Sequence, residues 1–305
     1  MTSIGRVAFL GSKPLGLKVL ETIHRLRPEC LAAVVSFDDR SDQRSSLNGF
    51  RDFATKTGIP LFVAVNATHA DQILRDIRPD LCLVACWYWM LKDDLIATMP
   101  NGAIGIHNSL LPKYRGGSPL VWSMLNGEPD VGFSVFSLTP EMDAGPIWFQ
   151  ERVVRLEDAG IAQVLASIEA LLVETLEAGW CDLLDGKIRP HPQNDLHATY
   201  CAQRIPDDGA IDWRWGAKEI VDFVRAQSSP YPGAFTIVNG KKVTLLNASV
   251  WKAPYFGRPG QVAISGEEGV VVICGNNRAI EFREVVHEGA VRPAKELFNS
   301  IKIRL

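Results

Sequence analysis

The residues best suited to do chemistry are His107, Asn108 and Asp143. His107 and Asn108 end the apolar run AIGI, and Asp143 lies in a polar stretch that also holds Glu141. An imidazole titrates near neutrality and can move a proton. Asp143 can orient that ring, favour its charged form or relay a proton through water. Asn108 can hydrogen-bond a carbonyl or a developing oxyanion. No serine sits in a nucleophile-elbow sequence and no candidate cysteine lies beside a base, so direct transfer between two bound substrates fits better than a covalent enzyme intermediate. Each residue alone has a plain structural account: a histidine in a strand, a solvated loop, a turn at Gly145. Together they are harder to dismiss, because a polar His-Asn pair interrupting a buried strand needs a reason.

Those side chains need elements to hold them. Residues 103–106 read as a strand running into His107. A loop with Lys113, Tyr114, Arg115, Gly116 and Gly117 follows, then a helix over 118–125, a strand over 132–138 and the polar loop of Asp143. Upstream, short apolar runs at 6–10, 30–37, 61–64 and 81–86 alternate with helical segments, the pattern of an α/β fold with a mostly parallel sheet. Ligands of such sheets bind outside the carboxyl ends of the strands. Gly11 and Gly16 mark a strand–loop–helix unit, without the GxGxxG dinucleotide fingerprint. The run 81–86 is apolar throughout, as for a strand buried on both faces. It exits into Trp87, Tyr88, Trp89, Met90 and Leu91. Three aromatics in a row cannot all face a core, so they are expected to line a cleft for a flat or apolar ligand. A packed strand–helix corner is the alternative.

A helix over 160–184 is expected to close a first domain at residue 188. Residues 189–206, with Pro190 and Pro192, read as a surface linker. In the second domain, 207–305, a helix falls within 211–225 and strands over 234–238, 242–246, 261–264, 269–274 and 279–286. Turns fall at Asn239-Gly240, Gly266 and Gly275-Asn276, and a final helix spans 294–301. Short strands separated by turns predict a small barrel or sandwich.

Composition sets limits. A chain of 305 residues suggests one large and one smaller domain. A net charge of -3 gives no global reason to expect nucleic acid. The six cysteines are scattered without a CxxC pair, so neither a disulfide framework nor a metal site is indicated. The first ten residues lack a signal-peptide core, and no apolar run reaches the roughly 18 residues of a membrane span. A cytoplasmic protein without a membrane partner is expected.

The stretches HNSLLPKYRGGSP, NGEPDVGFSV and EMDAGPI resemble the signature of the formyltransferases that use 10-formyltetrahydrofolate. The resemblance implies a Rossmann-like catalytic domain followed by an OB-like β-barrel. It puts His107 and Asp143 on the family's His and Asp. It puts Trp87 to Leu91 where family members bind the pterin, with Leu138, Thr139, Pro140, Glu141 and Met142 on the same co-substrate side. Acceptor contacts are implied for Ser12, Lys13, Lys113, Tyr114, Arg115, Gly116 and Gly117. Residues 204–236 and the tail from Pro259 resemble the second domain of tRNA and sugar formyltransferases.

One position departs from the pattern. The family carries Asn two residues before the His, on the same face of the strand, and this chain has Gly105 there. Asn108 follows the His instead, where alternation turns it to the opposite face unless the chain bends. Asn108, a backbone N–H or a water can stand in for the family Asn, or the chemistry has changed or been lost. The implied reaction moves a formyl group from 10-formyltetrahydrofolate to a primary amine of a small acceptor. A nucleotide-linked amino sugar comes first, because PDDGAIDW and YPGAFT look closest to the sugar-modifying branch. Methionyl-tRNA is the runner-up, an amino acid or carrier-bound peptide a further acceptor, and a non-catalytic folate-binding homologue the alternative of another class. A homodimer is left open.

Overall fold

The computed structural model describes residues 4–40, 42, 44–265 and 269–305; the turn expected at Gly266 lies outside them. Contacts divide the chain into two compact units. The first holds residues 1–119, 131–153 and 166–201, the second 120–130, 154–165 and 202–305.

In chain order, the elements up to residue 201 are β1 (Val7–Gly11), α1 (Lys13–Leu26), β2 (Leu31–Phe37), α2 (Leu47–Thr57), β3 (Leu61–Ala64), α3 (Ala67–Ile77), β4 (Leu81–Ala85), α4 (Asp93–Ile96), β5 (Ala103–His107), β6 (Arg115–Gly116), α5 (Pro119–Leu125), β7 (Asp130–Ser137), β8 (Ile147–Val154), α6 (Ile161–Leu184) and β9 (Tyr200–Cys201). A seven-stranded sheet runs in the order β3-β2-β1-β4-β5-β7-β8. The strands from β3 to β5 are parallel, and β7 runs antiparallel to β5. The order reverses between β1 and β4, the switch point where such sheets leave a crevice. All five residues of β1 are buried, which is why it reads as an unbroken apolar run. The helices obey local rules. In α3 the Asn66 side chain caps the first turn by accepting the His69 N–H, and Ala70, Ile73, Leu74 and Ile77 form its buried face. Arg78 then stops it in the left-handed conformation at φ 49°.

Strand β8 has no signature in the sequence. Its first two residues are buried, but Glu151 and Arg152 are exposed, so this edge strand shows neither alternation nor an apolar run.

The second unit contains α7 (Ala217–Ala226) and strands β10 (Ala234–Val238), β11 (Lys241–Leu245), β12 (Ser249–Val250), β13 (Val262–Ser265), β14 (Val270–Ile273), β15 (Ala279–Phe282), β16 (Glu284–His287) and β17 (Ala290–Pro293). The strands form two four-stranded sheets, β10-β11-β16-β17 and β12-β15-β14-β13, whose paired strands are antiparallel. Both sheets and α7 feed one apolar core that includes Val224, Val243, Val272 and Phe282. Two expectations need correction. The single strand over 279–286 is two strands in different sheets, broken at Arg283, whose carbonyl accepts the Ala294 N–H. The final helix over 294–301 is only a 3-10 turn, Ala294–Glu296. Phe298 is fully buried against Phe282, and Arg304 then bridges to Gln261, so core anchoring and strand pairing hold the tail in place of a helical ladder. Among the described residues, no helix is long and apolar enough to cross a membrane.

Candidate functional site

β5 carries Gly105 and His107 on one face and ends at His107. His107 is buried, with its ring edge-on to Phe136. Its Nε2 lies 2.7 Å from the Tyr114 carbonyl oxygen. A carbonyl only accepts, so Nε2 carries a proton, and Nδ1 of the neutral ring is a bare lone pair. Nδ1 faces Asp143 Oδ2 at 3.8 Å, too far for a hydrogen bond and close enough for an ion pair once the ring is protonated. Because β7 is antiparallel, Ser137 lies level with Ile104. The loop from β7 therefore starts at the far end of β5 and has to return to bring Asp143 beside His107.

Two groups hold Asp143, whose own backbone is unusual. Its Oδ2 accepts the Gly116 N–H at 2.7 Å. Its backbone, at φ 51°, is in a region that non-glycine residues seldom occupy. Its carbonyl accepts from Gln193 Nε2 at 2.7 Å. Gly116 is itself forced: its φ is 109°, and a Cβ there would sit 2.3 Å from the Cys201 carbonyl oxygen on the paired strand β9. The Tyr114 and Arg115 N–H groups donate to Thr199, to its Oγ1 at 2.8 Å and its carbonyl at 2.9 Å. Arg115 donates to Gln193 Oε1 and to Asp195.

The structure thus brings His107, Asp143 and the loop 113–117, all named from the sequence, together with Gln193, Thr199 and Cys201, which the sequence reading did not name for the site. These come from the segment read as a linker, which is hydrogen-bonded into the site. The available signal was Thr199-Tyr200, a β-branched and aromatic pair suited to a strand.

Cys201 lies close by, its Sγ 3.4 Å from the Tyr114 carbonyl oxygen. Burial, reinforced by the Asp143 carboxylate, pushes its thiol up to about 11. It is therefore neutral at pH 8, and iodoacetamide should label it on the order of 100-fold more slowly than an ordinary thiol. Peptide mass spectrometry of a labelling time course checks this; labelling at the ordinary rate would contradict it.

The remaining predicted residues fall in three places. Leu91 is buried, and Trp87, Trp89 and Leu138 pack half-buried on the same apolar cluster, with Phe37 against both Trp rings. Trp87 Nε1 is buried with no acceptor. Tyr88, Met90 and Met142 are exposed, as are Pro140 and Glu141, and the Thr139 hydroxyl donates to the Glu141 carbonyl. Leu138 also explains Gly105: a Cβ added there would lie 2.9 Å from Leu138 Cδ2 and 3.4 Å from Phe136 Cε1. An apolar side chain fills the space that the family pattern gives to an amide. Asn108 follows the strand where the chain bends, at residues 108 and 109, and its buried amide oxygen has no partner.

Ser12 and Lys13, at the carboxyl end of β1, bond within the protein. Ser12 Oγ donates to the Cys86 carbonyl. Lys13 is buried at φ 63° and donates to Asp39 at 2.7 Å and Asp42 at 2.9 Å. Burial alone lowers its pKa, but the bonds to the two carboxylates outweigh it and hold the ammonium above its ordinary value. Arg40 pairs with Asp38 and Arg44 with Asp42.

The fold thus brings a histidine and an aspartate together at the carboxyl end of β5, residue types suited to acid/base group transfer. Residues 40–174 match the formyl transferase family, and residues 204–302 match the formyl transferase C-terminal domain. The methionyl-tRNA formyltransferase of Roseiflexus castenholzii is 32% identical over 297 residues, which is 94% of this chain and 93% of that one. That of Anaeromyxobacter dehalogenans is 30% identical over 299 residues, 95% and 94% of the two chains. The chain belongs to the formyltransferase family.

Solved structures share its fold at low identity. HypX from Aquifex aeolicus in complex with tetrahydrofolic acid matches with TM-score 0.66 and 19% identity, over 97% of this chain and 47% of that one, so the chain spans about half of HypX. An N-formyltransferase from Helicobacter canadensis, in complex with folinic acid and dTDP-3-aminofucose, matches with TM-score 0.65 and 16% identity, over 92% and 99% of the two chains. The methionyl-tRNA formyltransferase from Clostridium thermocellum gives 0.59 and 18%, over 81% and 94%.

Proposed function

We propose that the chain transfers a formyl group from 10-formyltetrahydrofolate to a primary amine. One observation carries this reading: the Nδ1 lone pair of His107 faces Asp143 while Nε2–H is held by the Tyr114 carbonyl. The amine nitrogen bonds to the formyl carbon, which becomes tetrahedral. His107 Nδ1 takes the amine proton, and Asp143 stabilises the imidazolium. The bond from the formyl carbon to N10 breaks, and the proton passes to the leaving tetrahydrofolate nitrogen. Asn108 is the proposed oxyanion donor, since the bend after His107 frees it from strand alternation. Residues 87–91 and 138–142 are assigned to the flat pterin, and residues 113–117 to the acceptor side. Ser12, Lys13 and Arg115 act by shaping that side, because their polar groups bond internally.

For the acceptor, we favour a small amine. The cations Lys13, Arg40 and Arg44 each face a carboxylate, whereas a nucleic acid backbone is gripped by Lys and Arg that neutralise phosphates. A nucleotide-linked amino sugar leads, on the resemblance of PDDGAIDW (206–213) and YPGAFT (231–236) to the sugar branch. Methionyl-tRNA is the second reading, favoured by full-length likeness to methionyl-tRNA formyltransferases.

The test measures tetrahydrofolate release from 10-formyltetrahydrofolate with nucleotide-linked amino sugars and with methionyl-tRNA, alongside calorimetric binding of 5-formyltetrahydrofolate. Turnover with an amino sugar supports the first reading. Turnover with methionyl-tRNA alone, steeply salt-dependent, moves the acceptor to tRNA. Absence of 5-formyltetrahydrofolate binding at millimolar concentration sinks the donor assignment.

Gly105 yields a separate prediction. Gly105→Asn alone is expected to lose about 1–3 kcal/mol of stability through overpacking against Leu138 and to gain no rate. Combined with Leu138→Ala it should outpace Leu138→Ala alone, by up to roughly 100-fold, because an amide donor then reaches the site. Melting curves and transfer rates of the four proteins check both statements, and additive effects of the two substitutions would refute the coupling.

A further inference from the structure

We propose that Gln193 is a positioning residue that holds Asp143 in register with His107; this rests on the reading of Asp143 as the partner of His107. The amide nitrogen of Gln193 donates to two carbonyls of one loop, Asp143 at 2.7 Å and Gly145 at 2.8 Å. These two carbonyls bracket the turn after Asp143. Asp143 itself sits at φ 51°, a conformation that an L residue keeps only when its surroundings fix it.

The orientation of the Gln193 amide is determined. Its Oε1 accepts from Arg115 Nε at 3.2 Å and Nη2 at 2.8 Å, and a guanidinium only donates, so the oxygen must face Arg115 and the NH₂ must face the loop. Arg115 is 3% exposed and is anchored in turn by Asp195 at 2.6 Å. A chain of contacts thus runs from the exposed Asp195 through the buried Arg115 and the half-buried Gln193 to the backbone of Asp143, whose carboxylate faces His107. The Gly116 N–H fixes only the carboxylate; Gln193 fixes the backbone from which that carboxylate projects.

Two substitutions separate positioning from mere docking of the 190–201 segment. Gln193→Glu keeps an acceptor for Arg115, and gains an ion pair, but has no N–H for the two carbonyls. Gln193→Leu loses both. A positioning role makes the two variants alike: each slows formyl transfer by about 100-fold, the loss expected when a reacting group is misplaced by about 1 Å, with 5-formyltetrahydrofolate affinity little changed. Each also moves the His107 ring cross-peak in a ¹H–¹³C spectrum towards its place in Asp143→Asn, the peak being assigned by its loss in His107→Gln. If Gln193→Glu keeps the wild-type rate and peak, the segment is only docked and the proposal falls. If Asp143→Asn itself neither slows transfer nor moves the peak, the underlying reading of Asp143 has failed instead. The spectrum reports on Gln193 whichever amine proves to be the acceptor.

Discussion

Asp143→Asn should slow formyl transfer by about 10²–10⁴-fold, the range of general acid–base catalysis, with little change in 5-formyltetrahydrofolate affinity. The expectation follows from the His107 ring. Nε2 is held by the Tyr114 carbonyl, so the amine proton arrives on Nδ1, and the charge it creates stands 3.8 Å from Asp143 Oδ2. Asparagine has nearly the same shape and can still accept from Gly116, but it has no charge to answer the imidazolium. His107→Gln removes the base and should cost at least as much. The two residues act as a unit, so the double variant should be no slower than the slower single one. Single-turnover rates for the three variants decide the matter, and losses that multiply would mean that His107 and Asp143 serve separate steps.

The second large effect is on stability. Lys13→Met should destabilise the first unit by about 3–5 kcal/mol, because it strands a buried carboxylate. Asp39 is nearly inaccessible and, among the described residues, would keep only the Ser45 hydroxyl as a side-chain donor, whereas Asp42 would keep Arg44. Adding Asp39→Asn to Lys13→Met should recover a large part of the loss. Urea unfolding followed by tryptophan fluorescence measures both; equal midpoints for wild type and Lys13→Met would refute the argument. The same cluster has a pH signature. Hydrogen bonds from Arg44 first, then from Lys13, hold the Asp42 carboxyl well below its ordinary 3.8, against the opposing effect of burial. A depressed carboxyl stabilises the fold fully above its unfolded value and loses that contribution as pH falls through the folded one. Asp42→Asn should therefore flatten the acid side of the stability profile.

The candidate pair of His107 and Asp143 was legible because its motif is compact: His107, the loop 113–117 and the Asp143 loop lie within one stretch of chain. The parallel strands were legible because burial on both faces leaves uninterrupted apolar runs, as in β1 and β4. What escaped had no local signature. Gln193 reaches Asp143 across 50 residues of sequence, from a proline-flanked polar segment with no period. The exposed strand β17 has no apolar face, and the break at Arg283 is set by a distant N–H from Ala294. The partners of Lys13 lie in a loop whose charges look, in sequence, like solvated surface. Gly105 was visible as a departure, but the reason that glycine fits there is Leu138, one strand away.

That pairing of Gly105 with Leu138 also bears on how such a site changes over generations. An asparagine at 105 collides with the leucine, and a smaller residue at 138 opens a void beside the glycine. Each single step away from the present pair is thus expected to cost stability, and only the joint change reaches an amide-bearing strand. The two positions are therefore expected to be coupled by epistasis, so that change comes more readily at the surrounding loops than by stepwise reversal at this strand.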